Sequence, residues 1–290
     1  MTTPLAILSS LAGPDFDAAL DRCVAWGIKS VDLHDGIYGK AVLDLTAAEA
    51  RRAAEALAQR NLQVYCLSTP LFSEAVEAGE QVFRERHAGR VGEALRLAEV
   101  LKPKRIGLHA AATQRRREVP DAIDYLQTHR PWLMPLYREA LAVIRGAGFA
   151  AGIANHGRNC VLATPAEVLG FFAAVDPGQT SFIFDPVELW QMGSLPTLEA
   201  CRQMAPLIGC YRVKGGLADR RSGSLCWRSG LADASWPVVP ITSAVLTDAS
   251  CEAICLRGPT GHRKLGYDYH DLTGRDVQFL HAQYPQLAQA

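Results

Sequence analysis

Short runs of β-branched and other apolar residues alternate with longer amphipathic stretches from one end of the chain to the other. Pro4–Leu11 (PLAILSSL) reads as a first strand. Asp15 then opens a helical stretch with Phe16, Leu20, Cys23 and Val24 on one face. Ser30–Asp35 (SVDLHD) and Gln63–Thr69 (QVYCLST) are the second and third strands. Between them Thr46 and Glu49 form a capping box at the head of a helix ending near Asn61. One long charged-and-apolar helix over about residues 76–101 leads to a fourth strand, Arg105–Ala110 (RIGLHA).

The second half repeats the rhythm. A helix ends at Gly146-Ala-Gly148, before Phe149–His156 (FAAGIANH) as the fifth strand. Thr164, Pro165 and Glu167 combine an N-cap, a proline at the first helical position and a capping-box acid, so a helix starts there. Thr180–Pro186 (TSFIFDP), Gly209–Gly216 (GCYRVKGG) and Glu252–Gly258 (EAICLRG) are strands six to eight. Helices are expected over Trp236–Asp248 and after Thr273, and Leu217–Ser235 reads as a long loop. Eight strand–helix units in 290 residues predict an α/β fold, a closed (β/α)8 TIM barrel forming a single domain over residues 1–290. An open doubly wound sheet is the alternative. It would carry a glycine-rich phosphate loop after its first strand, which Ser9-Ser-Leu-Ala-Gly13 does not provide.

Composition narrows the function classes. Apolar residues make up 49% and charged residues 21%, enough for a full core. Lys+Arg and Asp+Glu each number 30, so no global field steers the chain to nucleic acid or an anionic membrane. No apolar run approaches the roughly 18 residues of a membrane helix. The first residues lack a basic segment followed by a long apolar one, so no signal peptide and a cytoplasmic location are expected. The 8 cysteines form no CxxC pair and read as reduced, mostly buried hydrophobes. The expected partner is a small molecule, with a homo-oligomer left open.

Barrel enzymes place reacting groups at the C-terminal ends of their strands. The polar residues there are Asp32, His34 and Asp35; Ser68 and Thr69; His109; Asn155 and His156; Asp185 and Glu188; Arg212 and Lys214; and Arg257. Trp190, Trp227 and Trp236 lie near strand-end loops, where they would stack on a sugar ring or pack beneath the loops. Arg115-Arg-Arg117 follows the fourth strand, either as a solvated loop or as a contact for a phosphate or acidic substrate tail.

The order SVDLHD, QVYCLST, RIGLHA, GIANHGRN, FIFDP, YRVKGG and ICLRG resembles the xylose isomerase-like barrels, which include sugar isomerases, epimerases, inosose dehydratase and AP endonucleases. The resemblance covers nearly the whole chain. It implies one divalent metal held by Glu, Asp, His and Glu from the fifth to eighth strands. The matching positions here are Ala154, Asp185, Arg212 and Arg257, with Gly215 in place of a further Asp and Glu188 where a His is frequent. Asp185 with two arginines sums to plus one, and a divalent ion would raise that to plus three. Like charges about 5 Å apart repel by roughly 3 kcal/mol at an effective dielectric near 20. No metal and no other cofactor is therefore expected.

On that reading the chain is an isomerase, epimerase or lyase acting on a sugar, polyol or sugar-acid derivative by proton transfer next to a carbonyl. Asp185 and Glu188 would be general acid and base, and His156 a proton shuttle. Lys214, kept neutral by cationic neighbours, would be a proton carrier or amine nucleophile. His34, His109, Asn155, Arg212 and Arg257 would bind the substrate, the arginines holding an oxyanion or carboxylate. Two alternatives stand. The barrel is a non-catalytic sugar-binding or partner protein in which Arg212–Asp185 and Arg257–Glu188 are structural ion pairs. Or it is a metal-dependent isomerase holding Mn, Mg, Co or Zn at a displaced site of His109, His156, Asp185 and Glu188.

Overall fold

The computed structural model describes residues 3–176, 178–193 and 195–288. Eight parallel strands, β1 (Leu5–Leu8), β2 (Ser30–Leu33), β3 (Gln63–Ser68), β4 (Arg105–His109), β5 (Ala150–Ala154), β6 (Ser181–Phe184), β7 (Ile208–Val213) and β8 (Ala253–Leu256), close into a barrel. Each pairs with its sequence neighbours, and β1 closes the ring against β8 through Leu5, Ala6 and Ile7 opposite Ile254, Cys255 and Leu256. Outside lie α1 (Phe16–Ala25), α2 (Ala47–Gln59), α3 (Glu80–Arg86), α4 (Val91–Leu101), α5 (Ala122–His129), α6 (Leu133–Gly146), α7 (Pro165–Val175), α8 (Pro186–Gln191), α9 (Leu198–Met204), α10 (Val238–Asp248) and α11 (Leu272–Gln283). The expected TIM barrel is the observed fold. Both capping boxes, Thr46 with Glu49 and Thr164 with Glu167, form at the heads of α2 and α7. No helix among the described residues is long and apolar enough to cross a membrane.

The helix expected over 76–101 is instead a turn at Val76–Ala78, then α3, a turn at Ala88–Arg90 and α4. Gly79, at φ +92°, ends the first turn. The second break turns the His87 ring inward. There its Nδ1 accepts from the Phe72 amide at 3.0 Å, and its Nε2 lies 3.2 Å from Glu74. A buried loop amide needs an acceptor, and supplying one outweighs one uninterrupted helix. The stretch 217–235 also differs from a bare loop, because Leu217–Ala218 and Leu225–Trp227 pair as an antiparallel ribbon.

The barrel interior is stacked from bottom to mouth. At the bottom Arg105 is buried, pairs with Glu252 at 3.0 Å and bonds Ser181. Gly209 leaves room for it: a Cβ there would lie 2.9 Å from an Arg105 guanidinium nitrogen. Above sits a plug of Ala6, Tyr65, Cys66, Ala154, Ile183, Cys210, Ala253 and Cys255. Burial pushes the Cys66 thiol up to about 11, so it behaves there as a small hydrophobe. The polar residues of the mouth rest on this plug.

The segment after the ribbon is tied to the last helix, where the Leu231 amide donates to Asp276 Oδ1 at 2.7 Å. Burial raises the Asp276 carboxyl to about 7. The acid stays protonated in the folded state while the unfolded chain ionises near pH 4. Its contribution is therefore fully present below that pH and is lost as pH rises to about 7, by up to about 4 kcal/mol. Asp276→Asn keeps an acceptor for Leu231 and removes the ionisation. Thermal melts at pH 5 and pH 8 are expected to show a smaller decline for the variant than for the parent chain; parallel declines would contradict the assignment.

Candidate active site

Two ionic clusters fill the barrel mouth. The first centres on Asp32, next to the end of β2 and 1% exposed. A carboxylate in an otherwise apolar strand must find cationic partners, and it finds two from the opposite side of the chain. Arg257, just after β8, donates from Nη1 to Asp32 Oδ2 at 2.9 Å. Arg212, on β7 and 2% exposed, places Nη2 3.5 Å from the same oxygen and donates to Ser68 Oγ at 2.8 Å. Burial disfavours the Arg212 charge, but Asp32 outweighs burial and the guanidinium is held above its ordinary range. Asp32 Oδ1 and Arg212 Nε are buried without a partner.

The second cluster centres on Lys214. Its ammonium lies 3.0 Å from Asp185 Oδ2 and bonds Glu188 Oε1. Asp185 sits where FIFDP turns from β6 into α8. Its Oδ1 caps the helix by accepting from the Val187 and Glu188 amides at 3.0 and 3.2 Å, and Pro186 occupies the first helical position. One turn on, Glu188 Oε2 accepts from the Gly157 amide at 2.9 Å and from Gln191 Nε2 at 2.7 Å. Burial disfavours the Lys214 charge, yet the two carboxylates outweigh it and hold the amine above its ordinary range. Burial raises Asp185, whereas for Glu188 burial is overcome by the Lys214 charge, helped by the Gly157 amide, and the carboxyl is lowered.

Three imidazoles cross the mouth between the clusters. His34 and His109 ring centres are 6.2 Å apart, and His109 and His156 4.5 Å. His34 Nδ1 lies 2.8 Å from the Ser68 carbonyl, which only accepts, so Nδ1 is the donor in that bond and Nε2 is left for another partner. Burial holds His109 well below the ordinary imidazole range, with His156 and Arg212 adding to the effect, and His109 Nδ1 has no partner. His156 is 45% exposed, with Nδ1 3.8 Å from Glu188 Oε1. Desolvation lowers it to about 4 against the pull of Glu188. Both rings are neutral at pH 7.

Several expectations change. Arg212 and Arg257 pair with Asp32, not with Asp185 and Glu188: both side chains reach toward β2, on the β1 side of the ring, rather than back toward β6. Lys214 is an ammonium, not a neutral amine, since its nearest partners are carboxylates. The mouth is not net positive: Asp32, Asp185 and Glu188 balance Lys214, Arg212 and Arg257. Asn155 uses both ends of its amide on the Asp185 backbone, at 2.8 and 2.9 Å, so it sits behind the mouth and holds Asp185 in place. Trp236 is buried and donates its indole N–H to the Lys214 carbonyl at 3.2 Å, which makes it a support and not a stacking surface. Sequence reasoning placed Asp32 among the strand ends without giving it a role; a buried acid inside SVDLHD was the available signal. Ser68 stood in the same list of strand ends, also without a role, and Gln191 carried no comparable signal.

The profile of the xylose isomerase-like TIM barrel family matches residues 20–236. The chain belongs to that family. Similar solved members of the fold include D-psicose 3-epimerase in the presence of D-fructose, at 15% identity and a TM-score of 0.71, covering 99% of this chain and 100% of that one. A xylose isomerase-like TIM barrel protein from Mycobacterium smegmatis in complex with magnesium matches at 13% identity and a TM-score of 0.69, covering 99% and 98%. A probable 3-DHS dehydratase, AsbF, from Bacillus anthracis matches at 15% identity and a TM-score of 0.67, covering 97% and 98%. At these identities the likeness shows the fold. No curated protein matches the chain. Within this xylose isomerase-like barrel, no group of three or more His, Cys, Asp or Glu among the described residues is placed to hold a metal ion together.

Proposed function

We propose that this xylose isomerase-like barrel is an enzyme that moves a proton next to a carbonyl of a small sugar, polyol or sugar-acid derivative, as an isomerase, epimerase or lyase, on protein charge alone. The observation that carries the reading is Lys214: its ammonium contacts both Asp185 and Glu188, where a bound cation would otherwise compensate them. The donor set does not fit a divalent ion. Asp185 Oδ1 caps α8, Glu188 Oε2 accepts from Gly157 and Gln191, and the remaining two oxygens face the ammonium. The other positions at which the resemblance expects ligands hold Ala154, Arg212 and Arg257. An added divalent ion would face three cations and lack open oxygens.

The chemistry then falls to the imidazoles and Arg257. His156 is neutral, reachable from solvent and backed by Glu188, whose charge stabilises the imidazolium formed when Nε2 takes a proton from carbon. Arg257 reaches the mouth with its guanidinium anchored on Asp32 and offers its remaining donors to the carbonyl oxygen as negative charge develops there. His34 Nε2, the ring nitrogen not engaged by Ser68, would contact a substrate hydroxyl. D-psicose 3-epimerase and the probable dehydratase, as structural relatives, agree with this reaction class.

A screen of ketoses, aldoses, polyol-derived ketones and sugar acids in D2O, on chelator-treated protein, tests it. Deuterium is expected to enter the substrate next to its carbonyl, with no gain on adding Mn, Mg, Co or Zn. His156→Gln is expected to lose about 100-fold or more of the exchange rate. Activity restored only by metal would overturn the metal-free reading. Ligand-induced thermal stabilisation without exchange would make the barrel a binding protein.

A further inference from the structure

A second feature of the same rim is a cavity of about 710 Å³ walled by the loops that follow β4 to β8. Its lining includes Arg116, Arg117, Arg158 and His262 and no Asp or Glu. In a chain with equal numbers of acidic and basic residues, that is a local concentration of positive charge. Arg116 is held by Glu167 at 2.8 Å, which fixes its loop against the start of α7. Arg117 and Arg158 make no ion pair and no side-chain hydrogen bond with any described residue, and both are exposed. The loop carrying Arg158 is anchored, since the Thr113 amide donates to the Asn159 carbonyl at 2.8 Å and the Asn159 amide faces Met192 Sδ at 3.1 Å. Two uncompensated guanidiniums thus stand on loops already fixed to the barrel.

The cavity shares a wall with the reaction centre. Gln191 lines it and donates to Glu188 Oε2 at 2.7 Å, while Glu188 contacts Lys214 and backs His156. Arg158 follows His156 by two residues on the same loop. The cavity thus borders both the loop that carries His156 and the helix that carries Glu188.

We propose that this cavity binds an anionic end of the substrate, a phosphate ester or carboxylate, gripped by Arg117 and Arg158, so that the enzyme acts on charged rather than neutral sugar derivatives. The inference rests on the proton-transfer reading for what happens at the mouth, but not for the binding of the anion. Guanidiniums suit this role because their paired donors match the spacing of carboxylate and phosphate oxygens.

Calorimetric titration of the full chain at fixed ionic strength, with inorganic phosphate, D-fructose 6-phosphate, D-gluconate and D-fructose, tests it. Inorganic phosphate is expected to bind and to compete with the anionic sugar derivative. The sugar phosphate or the sugar acid is expected to bind at least about 10-fold tighter than D-fructose, and the tighter of the two identifies the group. The Arg117→Ala/Arg158→Ala double variant is expected to lose about 10–100-fold of the anion affinity and none of the D-fructose affinity. Arg115→Ala, whose guanidinium pairs with Glu118 at 2.9 Å, is expected to change neither. Silence toward inorganic phosphate, equal affinity for anionic and neutral sugars, or an unchanged double variant would overturn the proposal. Anion binding without deuterium exchange defeats the reaction reading and leaves the cavity's role intact; exchange on neutral sugars with no anion preference does the reverse.

Discussion

Lys214→Ala is expected to destabilise the barrel by about 3–5 kcal/mol, measured by urea unfolding at pH 8. The substitution removes the ammonium that faces Asp185 and Glu188, each buried beyond the reach of bulk water. Two carboxylates then confront each other, and at least one takes up a proton. The variant's acids thus have folded-state pKa values above those of the unfolded chain. Stability is retained at low pH and lost as pH rises, so the gap between parent and variant is expected to shrink from pH 8 to pH 5. Two controls separate charge from packing. Lys214→Met combined with Asp185→Asn and Glu188→Gln is expected to recover most of the loss, since a neutral trio leaves no buried charge unpaired. Mn or Zn is expected to raise the melting temperature of Lys214→Ala while leaving the parent unchanged, because only the variant offers two uncompensated carboxylates beside His156. A parent chain stabilised by the same ions, or a variant as stable as the parent, would remove Lys214 from the centre of the mouth.

The strand ends were legible in sequence because each is a local event: an apolar run stops at a polar residue. SVDLHD, RIGLHA, FIFDP and YRVKGG delivered Asp32, His109, Asp185 and Lys214 to one face of the barrel. The capping boxes were legible for the same reason, their partners lying three residues apart. What stayed hidden was the choice of partner. Arg212 and Asp32 are 180 residues apart, and Arg257 and Asp32 225. Nothing in a linear pattern says toward which side of the ring an arginine reaches. That is set by register and strand tilt, here Arg212 opposite Cys255 and Asp32 opposite Leu8 and Cys66. The state of Lys214 followed from the same gap. Counting the arginines as its neighbours gave a neutral amine, whereas the carboxylates that touch it give an ammonium. The break at His87 was hidden too, because it answers the Phe72 amide on another loop.

A double-mutant cycle at Asp32 gives the second large effect. Asp32→Asn is expected to cost about 3–5 kcal/mol, because Arg212 is left buried with Ser68 Oγ as its remaining listener in the cluster. The two arginines are not equivalent partners, and distance alone ranks them wrongly. Arg257 is the closer, at 2.9 Å against 3.5 Å, but its side chain is 11% exposed against 2% for Arg212. When Asp32 loses its charge, Arg257 can turn toward water and recover solvation, whereas Arg212 cannot. Burial therefore decides. The coupling of Asp32→Asn with Arg212→Met is expected at about 2–3 kcal/mol, and that with Arg257→Met nearer 1 kcal/mol. Deuterium exchange should follow the opposite order among the single variants, since Arg257 reaches the mouth and Arg212 supports it from below: Arg257→Met is expected to cost more rate than stability. A cycle in which Arg257 couples more strongly than Arg212 would mean that Asp32 serves the reacting surface directly.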